Sequence, residues 1–148
     1  PDIAFATKEA SRWMSKPRVA DERKLRRLGK YLKGFARMVQ LFPWQEDGEP
    51  LRVYTDADWG GCKRTRKSTS GGVVMKGDLC IKFWSKTQHN IVLSTAEAEL
   101  VVLVKGGCEA KGVAAIMKDP TGMESGAIGV YTDASAAIGI ANRRDWER

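Results

Sequence analysis

Histidine is nearly missing from this chain: His89 is the single example in 148 residues. One imidazole is too few for a histidine–cysteine zinc cluster, and Cys62, Cys80 and Cys108 contain no Cys-x-x-Cys pair. Three cysteines, odd in number and far apart, predict unbridged thiols in a reducing compartment rather than a disulfide framework. Long apolar runs are missing too. None exceeds Leu100–Val104, far short of the roughly 18 residues that span a bilayer. No signal-peptide pattern is present. The chain opens on Pro1-Asp2 and closes on Trp146-Glu147-Arg148 without a helix stop, so both ends read as cuts from something larger.

What is present is ordinary for a water-soluble fold, with 43% apolar and 29% charged residues, enough for one compact domain plus an appendage. The net charge of +7 and pI of 9.5 favour acidic partners, nucleic acid first, although basic charge alone does not establish binding.

Residues 1–43 read as two helices. Ile3, Ala6, Ala10, Trp13 and Met14 recur at helical spacing until Lys16-Pro17 interrupts them. A second helix is expected from about Asp21, with Leu25, Leu28, Leu32, Phe35 and Val39 along one face. Its other faces carry Arg23, Lys24, Arg26, Arg27, Lys30, Lys33 and Arg37, either a solvated surface or one that tracks a nucleic acid backbone. Residues 44–50, with no periodicity and a proline at 50, read as a linker and the best domain boundary.

Beyond it, 51–148 reads as β-β-β-α-β-α. Leu51–Asp56 is a strand; Gly71–Lys76 and Leu79–Ser85 flank Gly77-Asp78, a type I′ hairpin signal. The intervening stretch from Lys63 to Gly71 is basic and hydroxyl-rich, a solvated loop or a phosphate contact. A central helix starts near Ser94, which with Glu97 fits a capping box. Gly106-Gly107 within it predicts close approach to the sheet, and Lys118-Asp119-Pro120 ends it. Ala127–Thr132 is a fourth strand, and a helix follows over 135–142 with Asp133 or Ser135 as its cap.

The chemistry lies in a near-repeat. Val53-Tyr54-Thr55-Asp56-Ala57-Asp58 and Val130-Tyr131-Thr132-Asp133-Ala134-Ser135 each deliver an aspartate at the same phase of a strand. If the two strands lie parallel and adjacent, Asp56 and Asp133 stand side by side at their carboxyl ends. Glu99 projects from the packed side of the central helix, where a charge needs a partner. Three clustered carboxylates ask for a cation, and an oxygen-only donor set suits Mg²⁺ or Mn²⁺. Asp58 is either an additional ligand or a turn former before Trp59-Gly60-Gly61, and the turn is favoured.

Five segments carry a resemblance. Tyr54–Gly61, Arg66–Gly72, Trp84–Gln88, Leu93–Leu100 and Tyr131–Ile138, in that order, resemble the RNase H domain of copia-type LTR retrotransposon Pol polyproteins. Pro1–Ala6 and Leu28–Gly34 are similar to the closing part of the reverse transcriptase that precedes it. The resemblance implies an RNase H-like fold of mixed α/β (α+β) type over 51–148, following a reverse transcriptase tail over 1–43. It implies an endonuclease that cuts the RNA strand of an RNA/DNA hybrid during reverse transcription. Asp56, Glu99 and Asp133 would be metal ligands and catalytic residues in a two-metal site, with Asp56 shared between the ions. Lys63, Arg64, Arg66, Lys67, Ser68, Lys86, Gln88, Ser94 and Thr95 become candidate nucleic-acid contacts, some within reach of 2′-hydroxyls. His89 is expected to be an exposed loop residue.

The family pattern also carries a fifth strand and a fourth acid on a late helix, and no matching segment is found here; Asp145 lacks the context. This departure predicts an exposed sheet edge and weakened or absent cleavage. Two alternatives therefore stand beside the nuclease: a fragment that only binds nucleic acid, and an RNase H-fold DNA nuclease or integrase. Localisation is expected to be intracellular, in a cytoplasmic virus-like particle, the nucleus or both, with the rest of Pol as the covalent partner.

Overall fold

A computed structural model describes residues 2–45, 48–122 and 126–143. The chain divides into two compact units, Pro1–Phe42 and Pro43–Arg148.

The first unit contains α1 (Ala4–Ser11) and α2 (Val19–Gly34). Arg18 caps α2: its backbone N–H and its guanidinium both donate to the Asp21 carboxylate, at 3.2 and 3.0 Å. Tyr31 of α2 donates to Asp2 ahead of α1 at 2.5 Å. The expected continuation of α2 through Phe35 to Val39 is not found: Phe35 is the cap, at φ −123° and ψ 62°. The reason is packing. Leu25, Leu32 and Phe35 stay 53, 44 and 67% exposed, so the apolar stripe supplies little tertiary support for another turn past Gly34.

The second unit is a four-stranded mixed sheet in the order β3-β2-β1-β4, with the long helix α3 packed on one face. Its elements are β1 (Leu51–Asp58), β2 (Thr69–Lys76), β3 (Leu79–Thr87), α3 (Thr95–Thr121), β4 (Ile128–Tyr131) and α4 (Ser135–Ala141). The order β-β-β-α-β-α is the one the patterning predicts. β1 runs antiparallel to β2 and parallel to β4, and the twin phrases align: Val53 pairs with Val130 and Tyr54 with Tyr131. The two tyrosine rings stack at 5.1 Å on the face away from the core. The core is Leu51, Val53 and Val74 of the sheet against Ala110 and Val113 of α3, with Trp84 and Ile128 beside them.

Several local expectations are corrected. Gly77 sits at φ +53° but Asp78 has no positive φ, so the signs fit a type II′ turn and not I′. The turn is braced from upstream, because the Asp78 N–H donates to Gln45 Oε1 at 3.1 Å. Residue 45 therefore belongs with the second unit rather than to a detached linker. α3 runs through Pro120 to Thr121 and stops at Gly122, whose φ of +65° suits glycine. α4 is capped by neither Asp133 nor Ser135: its N-cap is Ala134, with no side-chain bond. Asp145 lies outside the described residues. Gly106 shows the predicted close approach, since a Cβ there would meet Thr55 Cγ2 at 2.6 Å, whereas Gly107 faces open space.

Candidate active site

Three elements converge at the carboxyl end of the β1–β4 pair. The parallel register carries Asp56 and Asp133 to the same level, two residues beyond Tyr54 and Tyr131. Opposite them, Ser94 starts α3 by accepting the Glu97 N–H at 3.1 Å. Glu97 Oε2 accepts from the Leu93 N–H at 2.7 Å, one residue earlier than a standard capping box uses. This fixed helix start turns Glu99 inward. Asp56, Glu99 and Asp133 each offer a carboxylate oxygen, all within 4.8 Å of one another.

Their environments differ. Asp56 and Asp133 are exposed, but Glu99 is 8% exposed. Glu99 Oε1 accepts from the Ala57 N–H at 3.1 Å, a direct tie between α3 and β1. Its Oε2 is buried with no hydrogen-bond partner. Burial pushes the Glu99 carboxyl above its usual range, and the charges of Asp56 and Asp133 push the same way, against the pull of the Ala57 N–H. A buried, unmet anionic oxygen between two carboxylates is costly unless a cation or a proton compensates it. Three oxygen donors of this kind fit a hard divalent ion such as Mg²⁺ or Mn²⁺.

Other candidates fall outside the cluster. The Asp58 carboxylate lies over Gly61, where an added Cβ would meet it at 1.7 Å, so Asp58 shapes the turn and is not one of the three converging acids. Lys63, Arg64 and Arg66 are exposed on a tight loop closed by Arg66 N–H to Cys62 carbonyl at 2.7 Å, with Arg66 at φ 57°. Lys86, Ser94 and Thr95 are exposed, and so is His89, as expected.

Two predicted nucleic-acid contacts are interior. Ser68 is 0% exposed and accepts from the Gly60 N–H at 3.1 Å. Gln88 is 6% exposed, and its Nε2 donates to Ser70 Oγ at 3.0 Å and to the Ala98 carbonyl at 2.9 Å. Gln88 therefore joins β2 to the first turn of α3, one residue before Glu99. The hydroxyl-rich segment looked solvated in sequence because Ser and Thr usually are; here their hydroxyls and backbone close the β1–β2 loop. Lys105, which sequence reasoning passed over, shares a cleft with Lys67 and Lys86. Its signal was a cation ending the apolar run Leu100–Val104 on a helix that packs against the sheet.

The fold and the acids thus define a mixed α/β domain with a carboxylate cluster at the ends of a parallel strand pair. No protein-family model matches the chain, and no solved structure does. Curated proteins do match. The chain is 30% identical over 119 residues to the Retrovirus-related Pol polyprotein from transposon RE1 of Arabidopsis thaliana, covering 80% of this chain and 8% of that one. It is 29% identical over 126 residues to the Uncharacterized mitochondrial protein AtMg00810 of the same plant, covering 84% and 52%. It is also 32% identical over 110 residues to Secreted RxLR effector protein 161 of Plasmopara viticola, covering 74% and 77%. The chain belongs to the family of copia-type retrotransposon Pol polyproteins. It spans about half of the AtMg00810 protein and less than a tenth of the RE1 polyprotein.

Proposed function

We propose that this region of a Pol polyprotein is an RNase H-like domain that hydrolyses the RNA strand of RNA/DNA hybrids with Mg²⁺ or Mn²⁺. The observation that carries the reading is the convergence of Asp56, Glu99 and Asp133 within 4.8 Å, with one buried Glu99 oxygen unpartnered. Divalent ions held by these acids would supply an activated water and stabilise the departing 3′ oxygen. The chain's own part is to hold the geometry. Asp56 and Asp133 present their carboxylates to solvent, where a phosphodiester can approach, while Glu99 anchors the inner side through the Ala57 N–H. The basic surface favours a polyanionic substrate. On this reading the first unit is the tail of the reverse transcriptase, and the work is done inside the cell, in the cytoplasmic particle or the nucleus.

The test pairs cleavage with metal binding. A labelled RNA/DNA hybrid and the matching DNA duplex are incubated with the chain and Mg²⁺ or Mn²⁺, and Mn²⁺ binding is followed by electron paramagnetic resonance. Hybrid-selective, metal-dependent cleavage, slow for want of a fourth acid and removed by Asp133→Asn, is the expected result, with loss of Mn²⁺ binding in the same variant. Metal-dependent cutting of the DNA duplex instead would favour the DNA nuclease reading. Mn²⁺ affinity identical in wild type, Asp133→Asn and Glu99→Gln would end the proposal.

A further inference from the structure

We propose that a second cleft, beside the carboxylates but separate from them, is a seat for a backbone phosphate of the bound polynucleotide. It lies across the start of β2 and the end of β3 and reaches α3, with a volume of about 430 Å³. Lys67, Lys86 and Lys105 line it together with Ser70, Gln88 and His89. No carboxylate is among its lining residues, and among the described residues neither Lys67 nor Lys86 forms an ion pair. Lys105 is only loosely engaged: Glu109 stands 3.8 Å from it but 2.5 Å from Lys82. Three ammonium groups around one cleft repel each other until an anion enters, and a phosphodiester offers the oxygens that lysines accept as point charges.

The cleft is built rather than incidental. Its floor is Gln88, 6% exposed and locked to Ser70 and to the Ala98 carbonyl, so the strands and the helix that carry the lysines are held in one frame. Its position argues for a polymer over a small anion. Ser70 pairs with Ala57, whose N–H holds the Glu99 carboxylate, and β3 lies one strand further out. The strands that line the cleft thus stand one to two strand spacings, roughly 5–10 Å, from the backbone that anchors Glu99. Lys105 follows Glu99 on α3, about 9 Å along the helix by its rise per residue. A nucleic acid strand positioned over the carboxylates passes a neighbouring phosphate across these lysines. The inference rests on the proposed function for its ligand class, but not on metal or chemistry.

The experiment uses the whole chain in EDTA, so that neither metal nor cleavage enters. Fluorescence anisotropy of a short labelled RNA/DNA hybrid is titrated between roughly 50 and 200 mM salt. Lys67→Gln/Lys86→Gln keeps much of each apolar stem and removes two charges from the cleft. Lys76→Gln/Lys111→Gln removes the same charge elsewhere. The cleft variant is expected to bind about tenfold or more weakly, with a salt slope shallower by about one per lysine, while the control stays close to wild type. Equal changes in both variants, or no change in either, would overturn the cleft. So would a wild-type chain that binds no hybrid, and none of these results bears on whether the three acids take Mn²⁺.

Discussion

Glu99→Gln should make the metal-free protein more stable, although it removes a candidate ligand. The wild-type carboxylate sits within 4.8 Å of two others, with one buried oxygen unpaired. Two unit charges at that separation repel by about 1 kcal/mol in bulk water and about 3.5 kcal/mol at an effective dielectric of about 20. Asp56 and Asp133 are exposed, so the lower end weighs more, and a net gain of roughly 1–3 kcal/mol is expected. Glutamine keeps the carbonyl that accepts from Ala57, and its NH₂ can donate to either aspartate. In a domain of this size the gain raises the melting temperature by about 4–8 °C per kcal/mol. The pH dependence has a definite sign. Because folding raises the Glu99 pKa above its ordinary 4.5, the contribution of this one group to stability is greatest below that value and is lost as pH rises through the folded pKa. The variant lacks that component of the response.

Metal reverses the ranking, since an ion that binds only the folded state adds about 2.7 kcal/mol at a hundred times its dissociation constant. Thermal melts by tryptophan fluorescence, in EDTA and in millimolar Mg²⁺ or Mn²⁺ from pH 4 to 8, read all of this. A variant that melts lower than wild type in EDTA would refute the electrostatic reasoning. So would one that gains as much from metal as wild type does.

Further predictions concern the frame around the acids. Gly106→Ala should destabilise by about 1–2 kcal/mol in urea titration, because overpacking against Thr55 and Val53 outweighs the helix-propensity gain, whereas Gly107→Ala should stabilise by about 0.5–1 kcal/mol. A matching response at both positions would contradict the asymmetry of α3 against the sheet. Gln88→Ala should cost about 1–3 kcal/mol, by leaving buried partners of its amide unmet, and should weaken Mn²⁺ binding by loosening the turn that carries Glu99. Calorimetry would expose the opposite result, an intact Mn²⁺ affinity despite lost stability.

Much of this arrangement is legible from residues alone. The paired Val-Tyr-Thr-Asp phrases imply parallel neighbours because identical alternation delivers equal phase, and the sheet aligns them residue for residue. Ser94 as a helix start is legible because capping is a contact over three residues. The differences share another feature. The apolar stripe of α2 implies a buried face and a longer helix, yet Leu25 and Leu32 remain about half exposed. The polarity of Ser68 and Gln88 points outward but says nothing about which strands surround them. Gly-Asp at the hairpin admits more than one pairing of φ signs.

Element order, the phase of both aspartates and the start of α3 all follow from short-range periodicity and capping, and so are written in the residues themselves. Three-dimensional packing is what buries Glu99 against Ala57 with an unmet oxygen, sets Gln88 to brace the first turn of α3, and gathers Lys67, Lys86 and Lys105 around one cleft. Those properties depend on which segments meet in space, and burial and charge proximity come from such long-range contacts, not from neighbours along the chain.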